Sequence, residues 1–215
     1  MRSNRATRRK LTPPRSIFPH AAERRYYALL AGIALFLRRL IDQELPSVYA
    51  HALLEAVSLK TSRVRGDSWP QNIETVIGLI SFAAGERIVA GQRVIRGLAD
   101  EIAGSTENEF QRFARTATGL DVIRHEPWLS PALESWSVEN SKLISSISEK
   151  YLGDVAQRAQ DMVRQGKSVK VFKDELQKQY GLTKARASLI ARTETAKLNG
   201  QITEARQTQL GIREY

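Results

Sequence analysis

The sequence predicts an all-α fold, an elongated assembly of several long helices with a basic, disordered N-terminal arm. Apolar residues recur at three- and four-residue steps along most of the chain, which is the pattern of amphipathic helices. No convincing stretch of five or more residues alternates apolar and polar side chains as a half-buried strand would. Some periodic segments exceed twenty residues, so we expect an elongated shape rather than a sphere.

The first predicted helix spans residues 21–43. Pro46 is expected to interrupt it, because proline removes a backbone donor and clashes with the preceding turn. The same apolar period then continues to about Leu59. The polar segment 60–70 is predicted to be a loop.

The next helix is predicted from about Ile73 to Ala103. Three glycines lie within or near its first part, up to Ile88, and each costs a helix about 1 kcal/mol relative to alanine, so we expect a close helix–helix approach or a bend there. The glycines are Gly78, Gly85 and Gly91. Segment 104–106 is predicted to end this helix, with Ser105 or Thr106 as the N-cap of another helix that ends near Gly119.

The clearest boundary is segment 119–131, which has no sustained period and contains one glycine and two prolines. We therefore predict a flexible arm over residues 1–20, an N-terminal helical domain over 21–119 and a C-terminal helical domain over 132–215.

The C-terminal domain is predicted to contain three helices. A helix over 137–165 should end at Gly166. Ser168 is expected to cap a short helix that ends at Gly181, and Thr183 to cap the last helix, over 184–209.

The net charge of +10 is concentrated near the N-terminus. Residues 1–25 contain eight cations and a single acid, so this short segment accounts for +7. Arginine matches phosphate geometry, and a flexible arm can follow DNA without reading its sequence. The alternative is a tail that only increases solubility or binds a scaffold. The candidate nucleic-acid-binding residues are Arg2, Arg5, Arg8, Arg9, Lys10 and Arg15.

Several classes of protein are disfavoured. The absence of cysteine excludes disulfides, thiolate metal sites and thiol nucleophiles. The three histidines are far apart, and no phosphate-binding loop, nucleophile elbow or dinucleotide-binding motif occurs. We predict no metal, no cofactor and no catalytic residue. The longest apolar run, residues 28–37, is half of the ~20 residues that span a bilayer, so no membrane association is expected.

The last third of the chain carries a recognisable series of motifs. W-S-V-E-N-S-K-L-I occupies 136–144, a G-K-S break follows at 166–168, and I-A-R-T-E occupies 190–194 within A-S-L-I-A-R-T-E-T-A-K-L-N-G. The series closes with G-I-R-E-Y at 211–215. In this order, over about the last 80 residues, the motifs resemble the C-terminal part of the Mu-F-like head morphogenesis family, the minor head proteins of tailed bacteriophages.

The resemblance implies a virion protein of low copy number that lies at the portal vertex and inner head surface and occupies the host cytoplasm during assembly. The implied role is to assist head assembly and the packaging or ejection of DNA. The implied partners are the portal protein, a major capsid or scaffold protein, and packaged DNA, which is bound non-specifically, and the protein is expected to be oligomeric within the particle. The matching positions are Trp136, Asn140, Ile190, Arg192, Thr193, Glu194 and Asn199. Many members continue past the closing motif, so activities of such a tail are not carried over.

Glu194 lies on the apolar stripe of the last predicted helix, between Ile190 and Leu198. A carboxylate there must be paired, and no cation has ideal spacing, so we expect its partner, a cation or backbone donors, on another helix. We interpret Glu194 as a buried polar residue that fixes helix register, with partner contact as the alternative. Arg192 and Thr193 lie off the stripe. Arg192 is either a surface charge or intradomain link, or a contact to an acidic partner or phosphate.

Two other functions remain open from the sequence. One is a free, non-specific DNA-binding protein, and the other is the non-catalytic part of a longer enzyme.

Overall fold

A computed structural model describes residues 18–61, 68–118 and 126–209 of the protein. These residues form four helices and no strand, which confirms the all-α prediction. The helices are α1 (His20–Thr61), α2 (Trp69–Thr118), α3 (Leu129–Arg164) and α4 (Val169–Gln209). They contain 36 to 50 residues each, which makes them roughly 54 to 75 Å long, so the assembly is elongated as predicted.

Successive helices run antiparallel, because each neighbouring pair makes contacts near both of its ends. The contacts are Arg25–Glu101 and Glu55–Ser68 for α1 and α2, Arg96–Glu134 and Glu74–Gln160 for α2 and α3, and Trp136–Glu194 and Arg158–Glu175 for α3 and α4. Tyr49 of α1 also stacks on Phe172 of α4, with ring centroids 4.1 Å apart. The arrangement is therefore an up-down-up-down four-helix bundle.

The core of the bundle is one cluster of buried hydrophobic side chains to which all four helices contribute. The apolar stripe of α1 faces it, with Leu30, Leu37 and Ile41 completely buried. Each such side chain stabilises the fold by about 1.5–3 kcal/mol. Segments 21–119 and 132–215 both contribute to this cluster, and their division into two domains stays a prediction.

The predicted interruption of α1 at Pro46 is wrong, since the helix continues through it to Thr61. The neighbouring Leu45 and Tyr49 are completely buried, and the Tyr49 hydroxyl donates a 2.7 Å hydrogen bond to the Lys167 carbonyl. Proline inside a helix costs about 3 kcal/mol. Burying these two large side chains offsets that cost, so packing overrides the local signal.

The predicted break at 104–106 is also wrong, because α2 is continuous. The Ser105 and Thr106 hydroxyls do not cap a helix. They donate to the carbonyls of Ile102 and Ala103, at 2.7 and 3.1 Å, within the preceding turn. Residues 119–125 of the predicted boundary lie outside the described part of the chain.

α3 begins at Leu129, eight residues before the predicted start. Pro131 is tolerated because it lies in the first turn, where its missing N–H has no intrahelical partner. The predicted end is confirmed: Gly166 has φ +68°, and the Lys167 N–H reaches the Met162 carbonyl at 3.0 Å. This pattern is a Schellman motif.

α4 begins as predicted after Ser168, whose hydroxyl accepts a 3.4 Å hydrogen bond from the Val171 N–H. The predicted end at Gly181 is wrong, and so is the predicted cap at Thr183. Both residues lie inside one 41-residue helix, and the Thr183 hydroxyl donates to the Gln179 carbonyl at 3.0 Å. Gly181 adopts no positive φ that would stop the helix.

Candidate functional site

Three of the motif residues come together at the bundle end formed by the start of α1, the end of α2, the start of α3 and the end of α4. Trp136 and Asn140 lie one turn apart on α3, so they share a face, and Glu194 faces them from α4. With Tyr26 of α1 they form what we call the motif cluster. All four side chains are buried.

Hydrogen bonds connect the motif cluster across three helices. The Trp136 indole N–H donates to the Glu194 backbone carbonyl at 3.1 Å. The Asn140 amide donates to the Trp136 carbonyl at 2.9 Å and accepts from the Tyr26 hydroxyl at 2.6 Å. The Tyr26 ring meets the Trp136 ring edge-on, with centroids 5.9 Å apart. Buried polar groups require such partners, so the cluster fixes the register of α1, α3 and α4.

Tyr26 is the member of the cluster that the sequence motif did not include. Its burial, and secondarily the negative charge of Glu194, raise the pKa of its phenol well above the usual value. The hydroxyl therefore remains a donor to Asn140 at neutral pH. The sequence indicated the burial of Tyr26 through its position on the apolar stripe of α1. A buried tyrosine hydroxyl usually has a hydrogen-bond partner, so this position could have pointed to the cluster.

Glu194 is buried, as its place on the apolar stripe predicted. The prediction of a partner on another helix is wrong, because its carboxylate accepts a 2.6 Å hydrogen bond from Lys197, three residues later on α4. Lysine has a long flexible stem, so its ammonium can reach back while 59% of the side chain stays exposed. The hydrogen bond and the charge of Glu194 raise the pKa of Lys197.

The remaining motif residues divide between the core and the surface. Arg192 and Thr193 are exposed, off the apolar stripe as predicted. Ile190 is half-buried against the core, and Asn199 is buried. The motif therefore combines side chains that hold the bundle end together with two that face outward.

An open cleft of about 330 Å³ lies beside the motif cluster, between α3 and α4. Trp136, Glu139, Glu194 and Lys197 contribute to its lining, and so does Trp128. The indole nitrogen of Trp128 is buried with no hydrogen-bond partner among the described residues. A larger cleft of about 570 Å³ runs between α2 and α3; Ser137, Val138, Ser141 and Lys142 of the first motif contribute to its lining, but none of the seven matching positions does. No group of three or more potential metal ligands occurs within the described ranges.

A second polar cluster at the same end is centred on Arg206, which is 1% exposed. Its guanidinium donates to both carboxylate oxygens of Glu126, at 2.7 and 2.9 Å, and to the Ala103 carbonyl at 3.1 Å. It also donates to the Thr106 hydroxyl. Sequence reasoning missed this cluster, although Arg206 continues the four-residue steps of the α4 stripe after Leu198 and Ile202.

The six candidate nucleic-acid-binding residues, from Arg2 to Arg15, lie outside the described residues, and so does the closing motif at 211–215. The described chain enters α1 and leaves α4 at the bundle end that holds the motif cluster. None of the described helices is both long and apolar enough to cross a membrane.

No family model matches the chain, and no solved structure matches it. An uncharacterized protein of Haemophilus influenzae strain Rd is 24% identical over 140 residues. The match covers 64% of this chain and 31% of that relative, so the chain spans about a third of the relative's length.

Proposed function

We propose that the protein is a bacteriophage minor head protein that binds the portal vertex and inner head surface and assists head assembly and DNA packaging or ejection. The observation that carries the proposal is the motif cluster. Two residues of the family-like motif that are 58 positions apart in sequence, Trp136 and Glu194, meet through a buried hydrogen bond. Buried motif residues thus support the surface on which Arg192 and Thr193 are exposed.

The proposed docking surface is the outer face of α4 around these two residues. Arg192 offers a planar guanidinium that binds carboxylates bidentately, which suits an acidic patch on a portal subunit. The basic arm, whose chain enters the bundle at the same end, would contact packaged DNA or the inner capsid. This function requires no chemistry on a small molecule.

Co-purification with the portal protein from the same phage genome tests the proposal. Wild-type chain should capture the portal protein, and Arg192→Glu should reduce capture at least tenfold. Lys173→Glu makes the same charge change on an exposed position of α4, about 28 Å away at the other end of the bundle, and should leave capture unchanged. Equal losses for both variants, or no capture by wild type, would refute this docking surface.

A second candidate is the non-catalytic part of a longer enzyme, which the greater length of the Haemophilus relative favours, since the match covers only 31% of that relative. Mass spectrometry of purified particles separates the two. The proposed function requires this chain in the virion, whereas a free enzyme subunit, or a free DNA-binding protein, would be absent from it.

A further inference from the structure

The outer face of α2 carries an apolar stripe that the bundle does not cover. Phe82 is 87% exposed, Leu79 is 63% exposed and Val89 is 44% exposed. These residues are spaced by three and seven positions, so they lie along one side of the helix. Exposed hydrophobic residues are ordinary when scattered, but a contiguous stripe marks an interaction site.

Glycines along this face are not explained by packing inside the bundle. Of the three glycines from which the sequence predicted a close helix–helix approach, only Gly91 lies at such a contact inside the bundle. A Cβ there would lie 3.2 Å from Ile33 Cδ1 and 3.3 Å from Leu29 Cδ1. At Gly78, Gly85 and Gly97, an added Cβ would meet nothing within 4 Å. Each costs the helix about 1 kcal/mol relative to alanine, so another helix that approaches closely would account for them.

The same face carries two opposite charges that can pair between two copies of the helix. Glu86 and Arg93 are both exposed and lie two turns apart beside Phe82 and Val89. Neither makes an ion pair within the described part of the chain. If two α2 helices cross antiparallel, each Glu86 meets the Arg93 of the other copy, and the pair occurs twice by symmetry.

We propose that α2 forms a homodimer with a second copy of this chain, in an antiparallel pairing centred between Val89 and Ala90. This register, which pairs Glu86 with Arg93, also places Phe82 opposite Gly97 of the second copy. Gly97 is exposed and offers the open space that a phenyl ring needs. Phe82, Gly97 and the two charges thus fit one occupant, a second copy of this chain. The interface does not depend on the proposed portal-binding role.

Sedimentation velocity of the full chain over a concentration series tests the dimer. Salt should be held at about 0.15 M, where the Debye length of about 8 Å limits general repulsion between chains of net charge +10. Wild type should show a monomer–dimer equilibrium, and Phe82→Glu should weaken it at least tenfold. Phe82 is exposed, so an unchanged melting temperature of the dilute variant will show that it folds.

A charge exchange tests the register. Glu86→Arg and Arg93→Glu should each raise the dimer Kd at least tenfold, and the double variant should restore it to within about threefold of wild type. Leu189→Glu, on an exposed leucine of α4, is the matched control and should have no effect. The proposal would be overturned if the wild type were a monomer at all concentrations, or if the double variant did not recover the wild-type dimer Kd. It would also be overturned if Leu189→Glu raised the Kd as much as the α2 variants do, or if the chain were a monomer and Phe82→Glu abolished portal capture instead.

Discussion

At the scale of single residues, the bundle end depends on a few buried polar groups with complete sets of partners. The phenol of Tyr26 is one of them, because it joins α1 to α3 through Asn140. Its hydrogen bond contributes about 0.5–1.5 kcal/mol when formed, but leaving the buried Asn140 oxygen without a donor costs about 1–3 kcal/mol. A single hydroxyl group thus has a large influence on how the helices align.

The raised pKa of Tyr26 predicts a loss of stability at alkaline pH. Below about pH 10, the tyrosine is protonated in both the folded and unfolded chain, so its contribution is complete. Above that pH the unfolded tyrosine ionises while the folded one retains its proton, and the free energy of unfolding falls by up to about 1.36 kcal/mol per pH unit. Urea denaturation between about pH 9 and 11 should show this slope, and Tyr26→Phe should reduce it. Equal slopes would contradict the assignment.

Arg206 should be the most sensitive single position of the bundle end. Arg206→Met removes a buried guanidinium and leaves the Glu126 carboxylate, 9% exposed, without its partner, which should cost about 3–5 kcal/mol. The double variant Arg206→Met, Glu126→Met should recover much of that loss, because no buried charge remains. Arg192→Met, on the exposed face, should change stability by less than about 0.5 kcal/mol. Chemical denaturation measures the free energy of unfolding of all three variants.

At the scale of elements, the sequence predicted helical faces far better than helix ends. The stripe on α1, the position of Glu194 on α4 and the stop at Gly166 were correct, because each follows from local periodicity or turn chemistry. The breaks at Pro46, Gly104 and Gly181 were wrong, because proline and glycine lower helix stability by only a few kcal/mol at most. The free energy gained by burying side chains against three neighbouring helices exceeds that amount. No local sequence pattern indicates this gain.

Two glycines of similar local context should therefore respond to alanine in opposite ways. Gly181 lies inside α4, exposed, with open space at its Cβ, so Gly181→Ala should stabilise the protein by about 0.5–1 kcal/mol. Gly166 has φ +68°, so Gly166→Ala should destabilise it by about 1–2 kcal/mol. Thermal or urea unfolding compares the two. A destabilising Gly181→Ala would show that α4 is broken at the predicted place.

At the scale of the whole molecule, the candidate site was only partly accessible from the sequence. The motif indicated Trp136, Asn140 and Glu194 without showing that they meet. The positions of Tyr26 and Arg206 on apolar stripes indicated burial but not their partners, which are 114 and 80 residues away. Such pairs depend on the order in which the helices pack, which periodicity does not determine. The charge asymmetry, in contrast, was fully readable, since six cations lie within the first fifteen residues.

That asymmetry leads to the prediction for DNA binding. Deleting residues 1–15 removes six cations and leaves every described helix intact. If the arm binds phosphates, the deletion should weaken binding to non-specific duplex DNA. It should also flatten the slope of log Kobs against log salt by up to about 5, at about 0.9 per lost phosphate contact. Fluorescence anisotropy between about 50 and 200 mM salt gives the slope.

The charge-exchanged dimer variant Glu86→Arg, Arg93→Glu is a suitable control for that experiment, because it keeps the net charge and the arm. Its salt slope should equal that of the wild type, and the melting temperature of the truncated chain should be unchanged because the bundle remains complete. If the deletion leaves the salt slope unchanged, DNA binds the helical bundle and not the arm. The arm would then bind a protein partner, such as the inner capsid or a scaffold.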